Sequence, residues 1–173
     1  MRKQGLLRLS GRRALLALAV SVAVTCGAQA GPYEDGMEAY ERGDFAAALP
    51  LLRPFAESGR PEAQFVVGFF LLSGRAGPQD EPEGFRLIRS AAMQGHPGAM
   101  SGVGALYFSG RGTPQDSTQA YMWVSLAAER YPPGPDRDRA ARNRDMLAGR
   151  LTPAQIAEAQ RLAREWDAAH PAR

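Results

Sequence analysis

Residues 61–80, P-E-A-Q-F-V-V-G-F-F-L-L-S-G-R-A-G-P-Q-D, return thirty-six positions later as residues 97–116, P-G-A-M-S-G-V-G-A-L-Y-F-S-G-R-G-T-P-Q-D. Pro61, Ala63, Gly68, Ser73, Gly74, Arg75, Pro78, Gln79 and Asp80 recur as Pro97, Ala99, Gly104, Ser109, Gly110, Arg111, Pro114, Gln115 and Asp116. The register persists to Ala91 and Ala92, which recur as Ala127 and Ala128. A period of this length, carried by small residues, glycines and helix caps, marks helical hairpins that cannot bury their apolar faces alone and must stack on neighbours. The expected fold class is all-α: a short α-solenoid of stacked antiparallel helical hairpins with a C-terminal helical cap.

Working outward from that pair, period, caps and breakers predict three hairpins, at about 33–58, 61–94 and 97–129. Gly43 and Asp44 turn the first, with Asp44 placed to cap its second helix. In the other two, Gly74 and Gly110 can take the left-handed geometry that ends a helix, and Pro78 and Pro114 prevent its continuation. Asp116 is a natural N-cap with Gln119 three residues on, and Asp80 with Glu83 reads as a capping box. Ala63, Gly68, Ala99 and Gly104 in first helices, and Ala91, Ala92, Ala127 and Ala128 in second helices, are expected to bring adjacent layers close. Trp123 and Leu87 share one register and are expected to fill the gap between layers.

The repeat stops at Tyr131-Pro132-Pro133-Gly134-Pro135, a break placed at 131–135 because three prolines and a glycine cannot continue a helix. Capping helices should follow over 136–173. The first is charged, over 136–148. The second opens at Thr152-Pro153-Ala154-Gln155 with N-cap, proline at N1 and glutamine at N3. Ile156, Ala159, Ala163 and Trp166 form its apolar stripe.

These residues resemble the Sel-one-like repeat, a tetratricopeptide-related family of helical hairpins about 36 residues long. The resemblance is carried by Ala99 through Gly104, by Gly110-Arg111-Gly112-Thr113-Pro114-Gln115-Asp116, and by Gln119-Ala120-Tyr121-Met122-Trp123 through Ala127-Ala128. The first hairpin, with Gly36, Gly43, Asp44, Phe45 and Ala48, has the shorter turn of an ordinary tetratricopeptide unit, so the likeness covers about 33–130. Three residues of the second hairpin depart from the family pattern: Ala76 for glycine, Gly84 for alanine and Leu87 for an aromatic residue. They put its local stability in question. The resemblance implies an adaptor or scaffold for protein assembly. Some exported, cysteine-rich members are credited with β-lactam binding or hydrolysis, but they carry paired cysteines in each repeat, which this chain lacks.

Residues 1–30 read as a cleavable export signal rather than as part of the fold. Arg2, Lys3, Arg8, Arg12 and Arg13 form a basic start, Ala14 to Val24 is a predominantly apolar stretch, and Ala28-Gln29-Ala30 supplies small residues for cleavage. Eleven residues fall short of the roughly 20 a membrane span needs. Without the signal, 16 basic residues face 18 acidic ones, so the isoelectric point of 9.4 is owed largely to the leader. No basic stripe for nucleic acid remains. The lone cysteine, Cys26, leaves with the leader; lipidation at Cys26 is the alternative, though Ala23-Val24-Thr25 is a poor context for it. Arg12-Arg13 gives a weak hint of twin-arginine export. The expected location is the periplasm, with secretion as a variant.

The 31–173 segment has no lysine. Serine-lysine hydrolysis, Schiff-base chemistry and a phosphate-loop lysine are therefore excluded by composition. His96 and His170 are too isolated to suggest a triad or a metal cluster, and a structural or solvent-exposed role is expected for His96. The first helices hold the sharper signal. With Val67 centred on the core, Phe65, Phe69 and Leu72 point the other way; Tyr33, Met37 and Tyr40, and Ser101, Ala105 and Phe108, hold the same register in the neighbouring hairpins. Family geometry implies that this face is concave. It is the candidate partner-binding groove, unless the C-terminal helices fold back to fill it. The cluster of Asp136, Arg137, Asp138, Arg139, Arg142, Arg144 and Asp145 reads as a solvated helix face or a polar docking site.

The functional expectation is an exported, non-catalytic protein-interaction module or scaffold of the bacterial cell envelope. Its partner would be a protein or peptide, with no nucleic acid, no stable membrane insertion of the mature chain, no cofactor and no metal. The alternatives are a cell-wall-related or β-lactam-binding hydrolase, and a purely structural subunit of an envelope complex.

Overall fold

The computed structural model describes residues 31–171, which form eight α-helices and no strand. The expected leader, including Cys26, lies outside the described residues. Three hairpins come first: α1 (Pro32–Glu41) with α2 (Phe45–Glu57), α3 (Pro61–Ser73) with α4 (Glu81–Met93), and α5 (Pro97–Ser109) with α6 (Ser117–Arg130). They pack in sequence, each second helix also touching the next first helix, to make an α-solenoid. α7 (Pro135–Ala148) and α8 (Pro153–Ala169) complete the chain. Pro135, expected within the break, instead opens α7 at N1, where its fixed φ suits a helix and its missing N–H is no loss.

The repeated turn is held by repeated bonds. Gly74 and Gly110 sit in the left-handed region at φ 66° and 72°, and their amides donate to Phe70 and Leu106 carbonyls. The Gln79 side chain donates to the Leu72 carbonyl at 2.9 Å, and Gln115 does the same to Phe108 at 2.8 Å. Asp80 and Asp116 cap α4 and α6 by accepting from the Glu83 and Gln119 amides. One expectation needs correction: Glu83 gives its carboxylate to Arg86 at 2.6 Å, so Asp80 caps without the reciprocal half of a capping box. At Thr152 and Gln155 both halves are present.

Small residues act in two places. The second-helix alanines Ala91, Ala92 and Ala127 are fully buried in the core shared by the last two hairpins and the C-terminal helices. Gly68 and Gly104 instead set the helix crossings inside their hairpins, not the spacing between layers. A methyl group on Gly68 would lie 2.9 Å from the Gly84 carbonyl oxygen, and one on Gly84 would meet the Gly68 carbonyl at 2.9 Å. A methyl on Gly104 would overlap Val124 Cγ2 and lie 3.1 Å from the Ala120 carbonyl oxygen. Gly84 is thus the counterpart of Gly68, and its departure from the family's alanine is accommodated by a closer crossing.

A second core lies between the first two hairpins, around Leu52, Val67, Phe70 and Leu87. At the other end, α7 and α8 both lie against α6. Trp123 and Trp166 meet edge to face at 5.7 Å, and the Trp166 indole N–H points at Met93 Sδ, 3.5 Å away. The cap therefore reaches back to α4. Between α5 on one side and α7 and α8 on the other, Ala120 through Ala128 of α6 are all buried.

Candidate functional site

The first helices stand side by side and are joined by aromatic contacts. Tyr40 of α1 meets Phe70 of α3 at 5.9 Å, and Phe65 of α3 stacks on His96, the N-cap of α5, at 5.0 Å. The expected groove residues lie on these helices, but they divide into three groups. Leu72 is only 6% exposed and belongs to the core, which corrects its assignment to the groove. The cause is Gly84: Leu72 Cγ comes so close to that α-carbon that a methyl there would lie 2.8 Å from it. Lacking a side chain at position 84, α4 lets Leu72 turn inward.

Phe65 is the keystone of a seam. Besides His96, its ring edge lies where a methyl on Gly98 or Gly102 would meet it, at 3.5 and 3.7 Å. Tyr33 lies edge to face on Phe55 at 5.2 Å with the Arg60 guanidinium 3.4 Å over its ring. Burial raises the Tyr33 pKa, and the nearby Arg60 charge opposes that rise.

Met37, Tyr40 and Phe69 are half-buried at the edge of the core between the first two hairpins, and Phe108 at the edge of the core shared by the last two hairpins and the C-terminal helices. Ser101 is half-buried and Ala105 exposed. Phe69 contacts Phe70 at 6.4 Å, and Arg75 lies 5.8 Å from the rings of both Phe69 and Phe45. Arg150, from the turn between α7 and α8, lies 5.2 Å over Phe108. The face thus presents half-buried rings, two of which, Phe69 and Phe108, lie beside a guanidinium. α7 and α8 pack on α6 and leave most of it uncovered.

The two repeat arginines have different tasks. Arg111 donates to the Leu72 carbonyl at 2.7 Å and to Glu81 at 2.9 Å, stapling the third hairpin to the second. Arg75 stands thirty-six residues earlier, where the short turn of the first hairpin offers no equivalent helix end. It rests on Phe45 and Phe69 instead.

The histidines serve the fold. His96 Nδ1 accepts from the Ala99 amide at 3.0 Å, and burial lowers its pKa below the ordinary 6.5, so the neutral ring is the capping form. His170 stacks on Trp166 at 4.4 Å, and Arg130 donates to its carbonyl while pairing with Asp167. Sequence reasoning missed this Arg130–Trp166–His170 tie because its members lie forty residues apart. Among the described residues no group of three or more metal-binding side chains comes together, and no helix is long and apolar enough to cross a membrane. In the charged helix α7, Asp136 pairs with Arg139 and Asp145 with Arg144, each at 2.8 Å.

The sequence model of the family described as Sel1 repeat matches residues 61–96 and 97–131. Among solved structures, the chain is similar to a protective antigen present in uropathogenic Escherichia coli strains and displaying an SLR fold, with 26% identity and a TM-score of 0.70. That likeness covers 78% of this chain but only 29% of the antigen. The chain is also similar to a Sel1 repeat protein from Oxalobacter formigenes, with 28% identity and a TM-score of 0.56 over 66% of this chain and 86% of that one. No curated protein matches the sequence.

Proposed function

From the premise that the chain belongs to the Sel1-like repeat proteins, whose repeats generally serve as protein-interaction modules, we propose that it is an exported scaffold of the bacterial cell envelope. It holds a protein or peptide partner on the concave face made by α1, α3 and α5, and it performs no catalysis. The observation that carries this reading is the row of half-buried rings on that face, Tyr40, Phe69 and Phe108, which C-terminal helices do not cover. Arg75 and Arg150 beside two of them add cations at the rim. Such a surface suits an extended or helical segment that buries apolar side chains and offers carboxylates at its edge.

The test is capture of partners from an envelope extract with the parent chain and with Phe69→Asp. Phe69 suits this purpose because its ring leans on an edge, whereas Phe65 locks a seam. The expected result is lost capture with an unchanged helical spectrum and an unfolding midpoint close to the parent's. Capture at the parent level by folded Phe69→Asp would overturn the reading. Export is checked by N-terminal sequencing of the protein from fractionated cells, which should begin at Gly31; a chain that starts at Met1 in the cytosolic fraction would refute it.

A further inference from the structure

A hairpin would pack α8 on α7, but here both helices lie on α6, and a cleft of about 660 Å³ opens between them. Its floor is a single stripe of α6, Tyr121, Ser125 and Glu129, at four-residue spacing. Arg144 and Asp145 line it from α7, and Gln160, Arg164 and Asp167 from α8, Asp167 being paired with Arg130. None of these belongs to the first-helix face described above.

Two features of the cleft point to a ligand. Ser125 is 9% exposed, and its hydroxyl is a buried side-chain polar atom with no hydrogen-bond partner. Buried hydroxyls are ordinarily satisfied, so one left unpartnered beneath a polar cleft is a group that a ligand entering the cleft would satisfy. The charges are the second feature. Arg144 is already committed to Asp145, with contacts of 2.8 and 3.0 Å. Glu129 and Arg164, by contrast, have no ion-pair partner among the described residues. The cleft therefore offers one uncommitted anion on α6 and one uncommitted cation on α8, with the unpartnered Ser125 hydroxyl one turn before Glu129 on α6.

We propose that this cleft binds a short zwitterionic peptide. Its ammonium end pairs with Glu129, its carboxylate end pairs with Arg164, and a backbone amide group in between bonds to the Ser125 hydroxyl, with the Gln160 amide as a second backbone contact. A purely anionic or purely cationic ligand leaves one of the two charges unanswered, which disfavours it relative to a ligand bearing both. The volume falls within the roughly 300–1,000 Å³ of small-ligand sites, enough for a few small residues and too little for a partner helix.

The probe is trialanine, titrated into the full chain by calorimetry and by amide chemical-shift mapping, in four forms: both ends free, N-acetylated, C-amidated, and blocked at both ends. The expected outcome is saturable binding of the free form, with shifts at Tyr121, Ser125 and Gln160, and at least tenfold weaker binding on blocking either end. In Glu129→Gln, acetylation should make no further difference; in Arg164→Gln, amidation should make none. Ser125→Ala, which keeps the packing, should weaken the free form several-fold. Equal binding of free and doubly blocked trialanine, or no saturable binding by any form, overturns the proposal. So does unchanged affinity in folded Ser125→Ala. Because these residues lie on α6, α7 and α8, failure here leaves the first-helix reading standing, and the reverse also holds.

Discussion

Gly112→Ala should be among the most damaging single-methyl changes in this molecule. Gly112 lies in the left-handed region at φ 67°, and a methyl on it would overlap the Glu81 carbonyl oxygen and lie 2.7 Å from the carbonyl carbon. The obstacle is backbone at the start of α4, so relief requires shifting a helix, not a rotamer. Left-handed geometry costs an alanine about 1–2 kcal/mol, and overpacking about 1–3 kcal/mol more. The loss of chain freedom in the unfolded state returns about 0.4–1 kcal/mol. The net expectation is a loss of about 2–4 kcal/mol. Urea unfolding followed by helical circular dichroism would read this as a midpoint lower by about 1–2 M at an m-value near 2 kcal/mol/M. Ala76, thirty-six residues earlier, already carries a methyl that packs against the core of the first two hairpins, and Ala76→Gly should cost at most about 1 kcal/mol. A loss below about 0.5 kcal/mol for Gly112→Ala, or an equal loss for Ala76→Gly, would refute the argument that the glycine is required by the approaching hairpin.

Gly104→Ala should lower stability by about 1–3 kcal/mol, because its methyl overlaps β-branched Val124, whereas Gly102→Ala on the same helix meets Ile88 Cγ2 at 3.2 Å and should be milder by at least half in the same unfolding assay. Asp116→Ala should cost about 1 kcal/mol by orphaning the Gln119 amide, with amide exchange accelerated first in the opening turn of α6. His96 makes stability pH-dependent: its folded-state pKa is depressed, so its contribution is fully present above about 6.5 and is lost as pH falls through the folded value. His96→Asn retains a capping acceptor that does not titrate and should flatten the decline in unfolding midpoint between about pH 7 and 5; an unchanged slope would assign that decline to other groups.

The hairpin turns were legible because each of their parts is local. Gly74, Gln79 and Asp80 act within one turn, and Gly110, Gln115 and Asp116 repeat the same acts, so spacing alone conveys the geometry. What one turn does to the next hairpin was not legible. Ala76 in place of glycine looks like a defect until Gly112 is seen against the Glu81 carbonyl, a contact the short first turn cannot make. Leu72 failed for a related reason. Helical spacing put it with Phe65 and Phe69, but a hole at Gly84 on the facing helix drew it into the core. Face assignments from one helix assume a uniform opposing surface, and glycine on the partner breaks that assumption.

The C-terminal cleft was written in the sequence in a form that a search for likeness passes over. Positions that repeat reveal the stack, so the informative ones here are those that fail to repeat. Phe85, Arg89 and Met93 on α4 correspond, thirty-six residues on, to Tyr121, Ser125 and Glu129 on α6. Arg89 is exposed, as a solvent-facing charge on an outer helix should be, while Ser125 is buried. A charged outer position that becomes small in the last repeat indicates that something covers it, since a long arginine there would be forced out of water or would hold the cover off. The cover is α7 and α8, and the change from arginine to serine leaves a buried, unpartnered hydroxyl beneath the cleft between them. Restoring the repeat residue with Ser125→Arg should therefore displace α7 or α8 without disturbing the first two hairpins. Hydrogen exchange would show faster exchange in 135–169 and unchanged protection in 32–93. Uniform loss of protection along the chain would mean that the cap and the stack fold as one unit.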